Sequence, residues 1–258
     1  MRKFFTIASL VALTLSACSK ESTQGSEKGE GQVSINCVVA TDVDETRANI
    51  DCTTPAVEDF SLKIEGVGHT YAEEYATVAE FNDAEVYMKS ASYKATVTAG
   101  DINDEGYDKA TFVGSADFVV EPRKNTEVQI TAYIANALVK VEVTEAFTNY
   151  FAGGHSLKLT TAAGNEFDVT AQTEPLFIAP AAFTISGTAV KQPNQSGVEG
   201  SVVALPEYKH VGAAPQTVHT VKLDVENAGS AQLTITLNDT IVESIDIEQE
   251  LNDNSENA

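Results

Sequence analysis

The dominant periodicity along this chain is two. Val33, Ile35, Cys37 and Val39 alternate with polar positions, as do Phe60, Leu62 and Ile64, then Tyr93, Ala95 and Val97, then Val128, Ile130 and Ile134. A second series runs through Val139, Val141 and Val143, Leu157 and Leu159, Phe183 and Ile185, Val221, Leu223 and Val225, and Leu233, Ile235 and Leu237. Successive strand side chains point to opposite faces, so each run predicts a strand with one face in a core. Residues 66–68, 100–106, 121–125, 163–165, 227–229 and 238–239 are rich in Gly, Asn, Asp and Pro and supply the reversals. Two stretches predict short helices, Tyr71 to Phe81 and Thr144 to Phe151, the second capped by Thr144 and ended by Gly153. The class is mostly β. Two half-apolar sheets bury each other directly, so sandwiches are expected rather than closed barrels.

The strands fall into two sets of comparable length, which predicts an N-terminal β-sandwich domain over 32–136 and a C-terminal one over 137–251. No linker marks the boundary near Ala135-Asn136, so the halves are expected to abut; one elongated sandwich is the alternative. Residues 192–200 read as an exposed loop and 252–258 as a disordered acidic tail.

The first residues do not belong to either set. Arg2 and Lys3 precede an apolar run from Phe4 to Leu15, too short for a membrane-spanning helix, and Leu15-Ser16-Ala17-Cys18 resembles the bacterial lipobox. Residues 1–17 are therefore expected to be a signal peptide and Cys18 the lipidated residue. Several acyl chains on one cysteine give lasting membrane anchorage. Ser19 to Gly31 is polar and glycine-rich, a flexible tether of about 20 Å typical reach.

Net charge is -22, and removal of Arg2 and Lys3 makes it more negative. That balance argues against nucleic acid as a partner, because phosphate needs counter-charge. With Cys18 lipidated, Cys37 and Cys52 are the only cysteines left to pair. A disulfide between them would close a loop of about 15 residues and contribute about 3 kcal/mol; the other reading is two thiols buried as small apolar groups.

No catalytic constellation stands out. The histidines at 69, 155, 210 and 219 are scattered, and no Gly-x-Ser-x-Gly elbow or phosphate loop is present. Asp101 to Gly106 begins like a calcium loop but has Phe112 where a bidentate Glu is needed, so it reads as a turn. No enzyme activity, cofactor or metal is expected. With no Trp and 7% aromatics, stacking on a sugar would fall to Tyr71, Tyr75, Tyr107 or Tyr208.

The ordered set Tyr93 to Asp101, Gly106 to Lys109, Phe112 to Ser115, Phe118 to Val120, Thr126 to Val128, Ala135 to Val141 and Glu145 to Phe151 resembles a Bacteroidetes lipoprotein family of unknown function, across most of residues 29 to 245. That family is similar in layout to fimbrillins, the lipoprotein precursors of surface pili, which implies two tandem β-sandwich domains of the transthyretin or fimbrillin kind. The resemblance implies an outer-membrane lipoprotein at the cell surface, a role in adhesion or fimbria-like assembly, and like subunits or other envelope proteins as partners. Periplasmic residence is the alternative address, since Lys20-Glu21 carries only one acid where the signal that sends some Bacteroidetes lipoproteins to the cell exterior is acidic. Binding of a carbohydrate or host ligand in glycan uptake is the alternative role. In fimbrillins an arginine after the first strand is cut and a neighbour's strand fills the groove. Arg47 stands at that place, among Asp42, Asp44 and Glu45, where a solvated acidic turn is the other reading. A Cys37–Cys52 bond would keep the strand attached after such a cut. Asp239-Thr240-Ile241 matches the short Bacteroidetes pattern for O-glycosylation, on Thr240.

Overall fold

The computed structural model describes residues 29–42, 50–191, 200–227, 231–238 and 240–246. The strands in chain order are β1 (Glu30–Ala40), β2 (Ser61–Gly66), β3 (Ala72–Tyr75), β4 (Tyr87–Lys89), β5 (Ser92–Ala99), β6 (Phe112–Val119), β7 (Asn125–Ile134), β8 (Ala137–Val143), β9 (His155–Thr161), β10 (Glu166–Asp168), β11 (Leu176–Ile178), β12 (Phe183–Val190), β13 (Val202–His210), β14 (Val218–Asn227), β15 (Ala231–Leu237) and β16 (Thr240–Asp246). The helices α1 (Val78–Asp83) and α2 (Glu145–Tyr150) are one and a half turns each. The protein is mostly β, with tandem β-rich halves.

Alternation in sequence becomes alternation in burial. Along β5, Tyr93, Ala95, Val97 and Ala99 are buried while the residues between them are half-buried or exposed. The first seven strands form one sheet in the order β3-β2-β5-β6-β7-β1-β4. Its middle is barely joined: β6 and β7 pair only at Phe112↔Ile134 and Val113↔Tyr133. The sheet therefore splits into two layers, β3-β2-β5-β6 and β7-β1-β4, whose apolar faces share one core built around Phe60, Phe81, Tyr93, Phe112 and Ile130. From β8 onward, β10-β9-β12-β13 and β11-β8-β14-β15-β16 enclose a second core, to which α2 adds Phe147 and Tyr150.

Helix α2 lies where the sequence places it, with Thr144 Oγ1 accepting from Phe147 N. The other helix does not. Of Tyr71 to Phe81 only the end is helical, and Ala72–Tyr75 instead pairs with Leu62–Glu65 as an edge strand. A thin, solvated edge buries no full face, so period two never registers in its sequence. Helix α1 is capped by Thr77, whose hydroxyl accepts from Glu80 N, and is pinned by Val78 and Phe81, both fully buried.

The halves meet through a shared apolar seam. Strands β8 and β11 are buried on both faces: Ala137, Val139, Leu176 and Ile178 enter the second core, while Leu138 and Phe177 between them enter the first. Fully buried Asn136 ties the seam, its Oδ1 accepting from Thr111 N at 2.6 Å and its carbonyl from Gln216 N at 2.8 Å.

Candidate functional site

Strand β1 is held by main-chain bonds on both edges. On one side it runs parallel to β7 through nine residue pairs, Gln32↔Asn125 to Ala40↔Tyr133. On the other it pairs with β4 only over Glu30, Gly31 and Gln32. Its pairing begins at Glu30, so Glu30 and Gly31, expected as the end of a tether, already belong to the sheet. Gly31 reads as linker composition, yet it answers a close approach: a Cβ there would stand 2.3 Å from Glu121 O and 2.8 Å from Lys124 O.

Beyond Gln32 the β4 lane is taken over by the segment that leads into it. Val33 N donates to Val86 O at 3.1 Å. Ile35 N donates to Asn82 Oδ1 at 2.9 Å, and Asn82 Nδ2 donates to Ile35 O at 2.9 Å. The Asn82 carboxamide thus takes the place of one peptide group of a neighbouring strand. It comes from α1, and Glu85, with φ 47°, turns the chain from that helix into Val86 and β4. Residues 77–89 form a clasp along the outer edge of β1. Inward, Val33, Ile35 and Cys37 are 1%, 4% and 4% exposed.

Cys37 and Cys52 are both free thiols, and both pack on the first core. No bond joins them in this structure. Burial raises the pKa of each, with Asp108 and then Asp51 adding to the rise at Cys52. Cys18, Arg47 and the leader lie outside the described residues. Thr240 opens β16, where only its main chain is described.

The loop expected as a turn between strands is a clamp between the halves. Glu105 accepts from Thr161 Oγ1 at 2.6 Å, Asn165 Nδ2 at 2.8 Å and Ala179 N at 3.0 Å. Gly106 and Phe177 exchange main-chain bonds at 2.9 and 3.1 Å. Tyr107 donates its hydroxyl to Asp168 O at 3.2 Å, and Asp108 accepts from Thr53 N and Oγ1, each at 2.8 Å. Those Thr53 bonds hold the Asp108 carboxyl below the usual carboxylate range. Asp101 and Asp104 bond to Asn103 and Lys109. The loop carboxylates thus face protein partners. Among the described residues no group of three or more His, Cys, Asp or Glu is placed to hold a metal. Two cavities, about 620 and 310 Å³, flank the clamp and share Glu174.

The tyrosines proposed for stacking are dispersed. Tyr208 is buried against Phe183, 6.5 Å between ring centroids, which removes it from any exposed platform. Tyr75 packs on Phe81, and Tyr71 packs edge-on to Tyr93, as does His69. Tyr71 and His69, with Tyr87, line a separate cavity of about 580 Å³ at the start of β1. His155 packs on Phe147, while His210 and His219 lie 5.0 Å apart beside Phe183. Sequence reasoning missed Asn82 altogether and saw Glu105 only as part of a turn.

The chain is similar to a structure of a cell adhesion candidate from Bacteroides eggerthii, at 8% identity and TM-score 0.42, over 83% of this chain and 97% of that one. It is also similar to a polysaccharide-binding candidate from Bacteroides thetaiotaomicron, at 9% identity and TM-score 0.38, over 85% and 99%. A third is an adhesin candidate from Bacteroides ovatus, at 8% identity and TM-score 0.38, over 82% and 94%. No curated protein matches. A family described as a domain of unknown function, DUF4493, matches residues 29–253, and this chain belongs to it.

Proposed function

We propose that this protein is a non-catalytic surface protein, made as a lipoprotein precursor anchored at Cys18, that serves adhesion through fimbria-like assembly in which β1 is the exchangeable strand. The observation that carries the reading is the way β1 is held. Val33, Ile35 and Cys37 enter the first core, with Val39 packed at its margin, yet every one of the strand's ties to β7 and to the clasp is noncovalent, and neither nearby cysteine is bonded. A cut at Arg47 would leave a strand that another strand of the same pattern can replace, which is the chemistry of sheet-edge completion. The experiment is N-terminal sequencing of the protein recovered from intact cells, with protease shaving of whole cells as a separate sample. Chains beginning at Ala48 are expected on the surface; chains beginning only at Cys18, or resistance of whole cells to shaving, would count against processing or against the surface address.

A second reading, carbohydrate binding, is favoured by one feature, the cavity where Tyr87 is 39% exposed beside Tyr71 and His69. Aromatic faces with polar neighbours suit a sugar ring. A glycan-array signal lost in Tyr87→Ala would support it, and no signal at all would remove it. O-glycosylation at Thr240 belongs to the surface reading, and an intact mass without added hexose would end it.

A further inference from the structure

We propose that Asn82 reads the main chain of the strand of a second copy that occupies the β1 groove, favouring one with a free N–H at the place of Ile35. The inference rests on the strand-exchange reading above. In a parallel ladder one residue turns its N–H and C=O to one neighbour and the next residue turns them to the other. Ile35 bonds Asn82 with both groups, so Ser34 and Asn36 serve β7 and the Ile35 peptide groups serve the clasp alone.

A carboxamide offers one acceptor and one donor in the spacing of a peptide group, and so it recognises backbone independently of side chain. It is held rigid for that task. Val78 and Phe81 anchor its helix in the core, Thr77 caps it, and Val78 N donates to Phe60 O at 2.9 Å. Two further demands come from the same groove. At the place of Gly31 a side chain would collide with Glu121 O and Lys124 O, and three apolar side chains must enter at alternate positions thereafter. The groove therefore takes an extended segment reading Gly-x-apolar-x-apolar-x-apolar, as at Gly31 to Cys37, in which the middle apolar residue is not proline.

The test uses the full chain carrying Arg123→Lys, so that beyond the leader Arg47 is the only arginine, cut by an arginine-specific protease. A fluorescent peptide of residues 30–40 is offered in exchange, beside one N-methylated at Ile35 and one N-methylated at Asn36. The parent peptide is expected to enter, and methylation at Ile35 to weaken it about ten-fold, the usual cost of one lost bond whose partner stays buried. In Asn82→Ala that ten-fold gap is expected to close, while methylation at Asn36 still abolishes entry. Asn82→Asp, which keeps the acceptor and loses the donor, is expected to bind the parent more weakly yet retain the gap. A gap of the same size in Asn82→Ala overturns the role of Asn82 and leaves strand exchange standing. Failure of the parent peptide to enter the cut chain overturns strand exchange itself and this inference with it.

Discussion

Replacing Glu105 with alanine tests whether the loop at 101–109 holds the halves together. Its carboxylate takes three hydrogen bonds, all from the second half, at 2.6, 2.8 and 3.0 Å. A bond to a charged group contributes about 1.5 to 3 kcal/mol when well buried and about 1 when water can replace it. Glu105 is half-buried, so the three together are expected to contribute about 3 kcal/mol. Glu105→Ala should lower the unfolding free energy by that amount in urea, followed by far-UV circular dichroism because the chain has no Trp. The neighbouring exchange between Gly106 and Phe177 should weaken as well, raising amide hydrogen exchange there by about a hundred-fold, since each 1.4 kcal/mol is a factor of ten. A double-mutant cycle with Thr161→Val isolates one contact, with an expected coupling of about 1 kcal/mol. A stability change under about 0.5 kcal/mol with unchanged exchange at Gly106 and Phe177 would refute the clamp, for surface changes without a structural role fall in that range.

Two further outcomes follow from the same geometry. The Asp108 carboxyl is depressed by its Thr53 bonds, the main-chain one first, so the contact contributes fully above the ordinary carboxylate range and is lost as pH falls through the lower folded value; Asp108→Asn, which cannot ionise, should flatten the acid limb of a stability–pH profile, and an identical limb would contradict this. Cys37 is buried on β1 with a raised pKa while Cys52 is half-exposed; iodoacetamide near neutral pH should therefore label Cys52 well before Cys37, with Cys37 gaining reactivity once β1 leaves, and equal rates in the uncut chain would refute it.

Strands with one solvated and one buried face were legible because alternation is the direct imprint of that environment, as in β1, β5 and β14. The cap at Thr144 was legible for the same local reason. Ala72–Tyr75 was not, because an edge strand with no buried residue leaves no alternation, and its glutamates read as helix. Leu138 and Phe177 face a different core from their neighbours, so a continuous apolar run conceals which side chain goes where. The working residues were hidden for a further reason. Asn82 acts on a main chain 47 residues away, and Glu105 on partners 56 to 74 residues away. One carboxylate among 38 Asp and Glu has no local mark. Gly31 was visible as a glycine, but only the approach of Glu121 and Lys124 distinguishes a packing requirement from a linker.

The proposed exchange removes a strand that Val33, Ile35 and Cys37 together hold by about 5 kcal/mol through the surface they bury. The most direct measurement is light scattering on a size-exclusion column, with electron microscopy, before and after the full chain is cut at Arg47. Exchange requires loss of the fragment bearing β1 and growth of regular polymers in which a strand of a neighbouring copy fills the vacated groove. A cut chain that remains monomeric with that fragment still bound would contradict it.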